Sequence, residues 1–338
     1  MSPRTASVGE QLPSLLIAIP CLNEAATIGA VVASVPRHIA GVGRVDVLVV
    51  DDGSSDHTGE IARRTGALVL RHSRNRGLGI AFQSAVSYAI QRGYEVMLNI
   101  DGDGQFSADD IPGLVAPILN GQADMVTASR FKDQSRIPDM PKAKLLGNYM
   151  MSYLVSKLVG VKYHDVSCGF RCYSREALLR INLHGRFTYT QETFLDLSAK
   201  DIRIEEVPVD VRYFSDRKSR VARRLVPYAV NTALIIFRSY RDYFPLRFFC
   251  SMALLFAVPA TLAALFFFFH FVVTGRFSGY LYVGFTAAFL YAISAMFLVL
   301  AIVTDMLDRI RANQDRILYL LKKDSMQTDA LLPPERER

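Results

Sequence analysis

The 338-residue chain is poor in the residues that staple or ligate. It has four cysteines, Cys21, Cys168, Cys172 and Cys250, and no C-x-x-C pair. That excludes a disulfide framework or a zinc ribbon and suits reduced thiols in a cytosol-facing protein. The six histidines show no metal-ligand spacing and read as structural. Charged residues are only 21% against 51% apolar, which excludes general disorder. There is no internal repeat and no low-complexity tract. The dinucleotide fingerprint is also incomplete. Gly77-x-Gly79 follows Arg74-Asn75-Arg76 instead of a strand, and Phe82 stands where a third glycine is needed. A nicotinamide-dependent dehydrogenase is thereby set aside. Gly79 and its neighbour instead suit a loop that comes close to a ligand before a helix starts.

What is plentiful is apolar sequence near the end of the chain. Phe248–Gly275 and Phe277–Thr304 each run 28 residues without Asp, Glu, Lys or Arg. Each exceeds the roughly 20 residues that cross a bilayer. Stretches such as Leu265–Phe269 (LFFFF) have no polar face, so two spans forming a hairpin are a better reading than two buried core helices. The positive charge is localised too. Between Arg217 and Arg247 eight Lys/Arg stand against one acid, Asp242, giving 8 − 1 = +7, the net charge of the whole chain. Because these cations abut a membrane segment, anionic lipid headgroups account for them better than nucleic acid does. Arg309, Arg311 and Arg316 follow the second run, and only Arg276 lies between the two. The positive-inside rule then puts both termini in the cytoplasm, and no leader segment opens the chain.

The expected organisation is a flexible start (1–12), a cytoplasmic catalytic-type domain (13–220), interfacial amphipathic helices (221–246), two transmembrane helices (247–304) and a cytoplasmic amphipathic tail (305–338). The tail has apolar positions suited to contact with a partner subunit, which leaves a homo-oligomer open. Within residues 15–210, strand and helix patterns alternate. Leu15–Pro20, Val45–Val50, Ala67–Leu70, Val96–Ile100 and Asp124–Ala128 read as strands. Ala26–Val35, the stretch from Asp56 to Thr65, Leu78–Arg92 and Asp109–Asn120 read as helices. Near-continuously apolar strands alternating with helices predict an α/β domain with a mostly parallel sheet. In such sheets ligands sit beyond the carboxyl ends of the strands. Three of those ends carry polar clusters, Asn23-Glu24, Asp51-Asp52 and Asp101/Asp103/Gln105, which should meet in one cleft.

Asp101-x-Asp103 places two carboxylates on one side of an extended turn, with Gln105 beside them. Hard oxygen donors of this kind suit Mg²⁺ or Mn²⁺ with positions left open for phosphate oxygens. A surface Asp-Gly turn is the plain alternative. The preceding strand and the Asp51-Asp52 cluster favour the metal.

Six segments occur in order: Pro20-Cys21-Leu22-Asn23-Glu24, Val49–Thr58 (VVDDGSSDHT), Asn75–Gly79 (NRGLG), Asp101–Gln105 (DGDGQ), Ala128-Ser129-Arg130 and Asp165–Arg171 (DVSCGFR). Together they resemble inverting family-2 glycosyltransferases of GT-A fold, in particular the dolichyl-phosphate mannosyltransferase and bacterial polyprenyl-phosphate glycosyltransferase group. The resemblance covers about residues 13–220, and two C-terminal spans fit its bacterial members. It implies a UDP- or GDP-linked sugar donor and a polyprenyl phosphate acceptor. Pro20, Asn23, Glu24, Asp51, Asp52, Gly79 and Asp101 would bind the donor, and Asp101, Asp103 and Gln105 the metal. Arg130 would face the phosphates, and Arg217, Lys218, Ser219 and Arg220 would take the acceptor phosphate. Asp103, Arg130, Arg217 and Arg220 would be the catalytic set. The basic segment is shorter than in relatives, and Ser107 stands where many carry Pro. Glu192 sits where many family-2 enzymes place a base, or else is a structural carboxylate. Glu206 reads as the edge of a strand. A processive polysaccharide synthase shares the front motifs but carries Q-x-x-R-W, and this chain has no tryptophan. A non-enzymatic nucleotide-sugar-binding scaffold is the remaining alternative, and intact Asp103 and Arg130 weigh against it.

Overall fold

The structure is a computed structural model that describes residues 12–133, 135, 137, 140, 142–183, 189–212, 237–238, 240–241 and 244–330. It divides into two units, one formed by residues 1–231 with 318–338 and the other by residues 232–317.

The first unit is an α/β domain on a seven-stranded sheet. Its strands are β1 (Ser14–Cys21), β2 (Arg44–Asp51), β3 (Leu68–Arg71), β4 (Val96–Asn99), β5 (Met125–Ser129), β6 (Arg171–Ser174) and β7 (Ile204–Pro208), in the spatial order β3-β2-β1-β4-β6-β5-β7. Only β6 runs against the rest. It pairs antiparallel with β4 and β5, whereas β1–β2, β1–β4, β2–β3 and β5–β7 are parallel. The mostly parallel sheet expected from the sequence is therefore present. The helices are α1 (Ile28–Ser34), α2 (Thr58–Arg64), α3 (Leu78–Gln91), α4 (Ile111–Leu119), α5 (Lys142–Val159), α6 (Arg175–Arg180) and α7 (Thr190–Ser198). A 3₁₀ turn, Ala108–Asp110, precedes α4, and Ser107 accepts the Asp109 amide at its start.

Central strands buried on both faces need uninterrupted apolar residues. Leu15 to Ile19 of β1 and Val47 to Val50 of β2 meet that need and are essentially inaccessible. Helix α3 buries Gly79, Phe82, Ala85, Val86, Ala89 and Ile90, the spacing of one helical face. Phe82, the residue that spoils the dinucleotide fingerprint, stacks on Tyr189 with ring centroids 4.1 Å apart and leans on Tyr173 at 5.6 Å. It is a core anchor.

The second unit holds α8 (Pro245–Thr274) and the first part of α9 (Leu281–Ala330), joined through Gly275 in a left-handed conformation. Both helices are long and apolar enough to cross a membrane, and only 11% and 17% of their most apolar 18-residue stretches are buried. That exposure is wrong for core helices of a soluble protein. Where they do pack, they use small residues and polar links: Ala253, Ala260 and Ala287 are buried, Ser294 Oγ donates to Ala253 O at 2.9 Å, and Thr261 Oγ1 lies 2.9 Å from Tyr291 Oη. Helix α9 continues without a break past residue 304. In the first unit, its end meets α6, where Tyr319 Oη donates to Glu176 and Lys322 Nζ to Ile181 O. The interfacial helices expected over 221–246 fall almost wholly outside the described residues.

Removing the Phe82 ring would leave a cavity between α3 and Tyr189. Phe82→Ala should cost about 3–5 kcal/mol, read as a lower unfolding midpoint of the detergent-solubilised protein. A shift near zero would show that the stack is not a core contact.

Candidate active site

Strands β1, β2 and β4 are parallel neighbours, so their carboxyl ends lie side by side. Cys21 pairs with Asp51, and Ala18 with Asn99. The loops that follow are laced together. Asp52 N donates to Cys21 O at 2.9 Å, Asn23 N to Ser54 Oγ at 3.0 Å, Ser55 N to Asn23 Oδ1 at 2.8 Å and Glu24 N to Thr58 Oγ1 at 2.8 Å. Thr27 Oγ1 reaches across to donate to Gly102 O at 2.8 Å, tying the first loop to the Asp101–Asp103 turn. Asn23 adopts φ +55°, a left-handed conformation that Asn tolerates better than most residues. Gly53 is at φ +78°, and a Cβ there would lie 2.5 Å from Arg74 C, so only glycine lets the 72–77 loop close over this edge.

One buried thiol lies within the electrostatic reach of acids from all three loops. Cys21 is pushed well above its ordinary pKa by burial first, and then by the carboxylates of Glu24, Asp51, Asp101 and Asp103. Acids that follow three neighbouring strands thus all act on one thiol. Asp101 is raised to about 6, chiefly by burial and next by the Asp103 carboxylate, while Arg130 and Arg171 pull it down. Gln105 N donates to Asp103 Oδ1 at 3.1 Å, and Gln105 O accepts from Arg212 N at 3.0 Å. Gly169 leaves room beside Asp101, since a Cβ there would stand 3.2 and 3.3 Å from its two oxygens.

The two acids at the end of β2 are engaged within the fold. Asp51, 1% exposed, accepts from Ser54 N at 2.8 Å and lies 3.4 Å from Arg71 Nε. Asp52 accepts from Arg76 N and Gly77 N at 2.9 and 2.8 Å, and pairs with His72 Nδ1 at 2.6 Å. It clamps the glycine loop to the strand end. Pro20 is buried in β1, and Gly79 is buried in the first turn of α3.

Arg130 leaves β5 at the same edge of the sheet. It grips Asp165 in a two-point pair, Nε–Oδ2 at 2.6 Å and Nη2–Oδ1 at 2.9 Å, and also donates to Ser167 Oγ at 2.8 Å. Burial alone would raise Asp165, but the guanidinium and its hydrogen bonds outweigh burial and hold the carboxyl below its usual range. Behind it, Glu206 accepts the His164 and Asp165 amides, both at 2.9 Å, and faces His164 Nδ1 at 2.7 Å. Glu206 does lie on the edge strand β7. Its buried carboxylate nevertheless shapes the turn that presents Asp165, which strand position alone did not reveal.

Two further groups were missed in the sequence. Lys144 on α5 is held below its ordinary pKa by burial and then by the Arg130 guanidinium, while the Asp103 carboxylate works the other way. It therefore shares the neighbourhood of both. Its only sequence signal was a lysine in a stretch, Lys142 to Lys162, that has no Asp or Glu. Tyr189 is fully buried and accepts from Asn99 Nδ2 at 2.8 Å next to Gly169. Glu192 stands in the first turn of α7, half-buried. Arg217, Lys218, Ser219 and Arg220 lie outside the described residues.

Among the described residues no three His, Cys, Asp or Glu side chains form a ready metal cage. The donor set still fits a hard divalent ion. Asp101 and Asp103 repel each other, both offer oxygen, and an incomplete protein shell suits an ion whose other ligands come from phosphate.

An acid whose pKa rises from 3.8 to about 6 on folding is penalised once ionised, so stability falls as pH climbs through that interval. At neutral pH, Asp101→Asn should stabilise the ion-free protein by something on the order of 1–3 kcal/mol, seen as a higher unfolding midpoint. An unchanged or lower midpoint would contradict the crowding of acids described here.

Comparison with known proteins shows the family and the fold. A sequence profile of the family described as glycosyl transferase family 2 matches residues 16–181. The dolichyl-phosphate hexose transferase of Haloferax volcanii is 30% identical over 198 residues, 59% of this chain and 82% of that one. The polyprenol monophosphomannose synthase of Mycolicibacterium smegmatis is 29% identical over 218 residues, 62% of this chain and 80% of that one. Among solved structures, glucosyl-3-phosphoglycerate synthase from Mycobacterium tuberculosis, in complex with Mn²⁺, uridine-diphosphate and phosphoglyceric acid, superposes with a TM-score of 0.52 at 20% identity. The match covers 66% of this chain and 78% of that one, a likeness of fold.

Proposed function

The chain belongs to glycosyl transferase family 2, and on that premise we propose that it moves a sugar, with inversion, from a UDP- or GDP-linked donor to a polyprenyl phosphate at the membrane. The observation that carries this reading is that the loops after β1, β2 and β4 are tied together, Asp52 N to Cys21 O at 2.9 Å and Thr27 Oγ1 to Gly102 O at 2.8 Å, so that the charges of Glu24, Asp51, Asp101 and Asp103 all act on the Cys21 thiol while Arg130 acts on Asp101 and Asp103 on Lys144. Acids crowded at one edge and cations facing them suit two phosphate groups held close together.

The acceptor phosphate is already anionic near neutral pH, so its attack on the sugar carbon needs no general base. Glu192 is accordingly a structural carboxylate in this scheme. A divalent ion, Mg²⁺ or Mn²⁺, held by Asp101 and Asp103 with Gln105 beside them, would neutralise the diphosphate leaving group. Asn23, Glu24 and Asp51 would hold the nucleoside, and Pro20, Asp52 and Gly79 would shape the loops beside it. Arg130 is fixed by Asp165 and Ser167, a rigid positive charge whose orientation costs nothing at the moment of reaction. Lys144 adds a second charge on the acceptor side.

Arg217, Lys218, Ser219 and Arg220 complete the proposed acceptor site. Supporting this, the chain just before them is tied to the metal turn: Phe106 bridges Val211, and Arg212 N bonds Gln105 O. Arg217 is five residues beyond Arg212, within about 18 Å of extended chain. Two apolar C-terminal helices would keep the catalytic domain at the bilayer, with both termini cytoplasmic by the positive-inside rule. The segment boundaries set out from the sequence carry over to this proposal.

The test is a transfer assay with nucleotide-sugars and polyprenyl phosphate. Labelled sugar should enter the organic-extractable lipid. Label in a polymer would support a processive synthase, and binding without turnover would support a scaffold. Asp103→Ala or chelation of divalent ions should lower transfer by on the order of a hundredfold or more. A near-normal rate with Asp103→Ala would remove that residue from the site. Lys144→Ala should raise the acceptor KM by about tenfold while donor affinity stays within about twofold. Equal losses for both substrates would assign Lys144 to the fold instead.

A further inference from the structure

Nothing in the spacing of the six histidines singles out His72. In the fold it stands between the acids that end β2 and helix α3. It follows β3, is 7% exposed, and its backbone N donates to Asp51 O at 2.8 Å. Both ring nitrogens are engaged. Nδ1 lies 2.6 Å from Asp52 Oδ1, and Nε2 lies 3.0 Å from the Oγ of Ser84, in the second turn of α3. A carboxylate only accepts. In the neutral ring these partners therefore assign the hydrogen to Nδ1 and leave Nε2 to accept from the serine hydroxyl.

Asp52 joins this relay to the glycine loop. Its Oδ1 also accepts from Arg76 N at 2.9 Å, and its Oδ2 accepts from Gly77 N at 2.8 Å. Gly77 sits at φ +96° and ψ 154°, a conformation that favours glycine, so the loop has to be held where it is. It is held at both ends: at Gly77 by the carboxylate directly, and at His72 through the ring. Gly77 opens α3, and Ser84 belongs to the same helix. Strand end, loop and helix thus close into one hydrogen-bonded triangle. Removing the ring would leave a buried carboxylate oxygen short of a donor, which costs more than losing an ordinary hydrogen bond.

We propose that His72, backed by Ser84, is a positioning residue for the sugar-nucleotide donor. It orients Asp52, and Asp52 holds the Asn75–Gly77 loop in the shape that lies beside the nucleoside. This rests on the donor role proposed above for the loops after β1 and β2. His72 and Ser84 act through Asp52 and not on the reacting atoms. The signature is therefore a weaker hold on the donor with the chemical step little changed. A histidine that merely filled the core would show no selectivity for which ring nitrogen is kept.

Two amide variants separate these roles, because Asn can place an N–H where Nδ1 stands and Gln one where Nε2 stands. In the full-length, detergent-solubilised protein, His72→Gln should raise the donor KM by about tenfold, with kcat and the acceptor KM within about twofold. His72→Asn should keep the donor KM within about threefold of the native value, and Ser84→Ala should raise it by about threefold. Equal effects of Asn and Gln, or equal losses for donor and acceptor, overturn the proposal. Hydrogen–deuterium exchange supplies a readout that needs no turnover. Amides of residues 73–78 should exchange at least about tenfold faster in His72→Gln than in the native protein, while those of residues 85–91 stay within about twofold. In His72→Asn both segments should match the native protein. Unchanged exchange over 73–78, or faster exchange throughout α3, overturns the clamp. A native protein that transfers no sugar refutes the proposed function and not the clamp, which the exchange pattern decides by itself.

Discussion

Repulsion among carboxylates at the edge of a parallel sheet is the constraint on which the rest of this molecule depends. Strands β1, β2 and β4 run side by side, so the acids that end them cannot avoid one another. The fold keeps Asp101 among them although burial and Asp103 both disfavour its charge. Such an arrangement is unfavourable in the empty protein and becomes favourable when positive charge enters. The surrounding hydrogen bonds serve to hold the acids in place against their mutual repulsion. Thr27 binds the Asp101–Asp103 turn, Ser54 fixes Asp51, and Gln105 N steadies Asp103.

The cations are arranged differently. Arg130 is not a mobile side chain reaching into a cleft. Asp165 fixes it at two points, Ser167 adds a third, and Glu206 holds the turn beneath. A buried guanidinium needs its partner for stability, and the same pairing gives it a fixed direction. Lys144 stands on a helix whose inner face supports that network, so the two positive charges are positioned through shared contacts. Acids supplied by strand ends and cations supplied by a loop and a helix therefore form one electrostatic unit.

Much of this could be read from the linear chain. Uninterrupted apolar strands, the D-x-D turn and the two uncharged runs each rely on local chemistry. A strand buried on both faces must be apolar, paired acids two apart must share a side, and a bilayer needs some 20 apolar residues. Small differences of extent, such as β1 reaching Cys21 or α1 starting at Ile28, reflect end effects that pairing decides. Less legible were residues whose meaning lies in a partner far along the chain. Glu206 looked like a strand edge because its ligands, His164 and Asp165, are some 40 residues away. Asp52 reads as part of a ligand cluster, and what the linear chain did not show is that its carboxylate also clamps the loop at Arg76 and Gly77.

The sequence by itself determined the kind of protein: an α/β domain with acids at strand ends, followed by two segments that only a membrane would welcome. Those properties follow from periodicity and transfer free energy, which are additive along a chain. Tertiary structure alone decided which charges face each other. It joined Arg130 to Asp165 and brought Lys144 near Asp103. Electrostatic energy depends on distance and burial, and neither exists until the sheet has brought remote residues together.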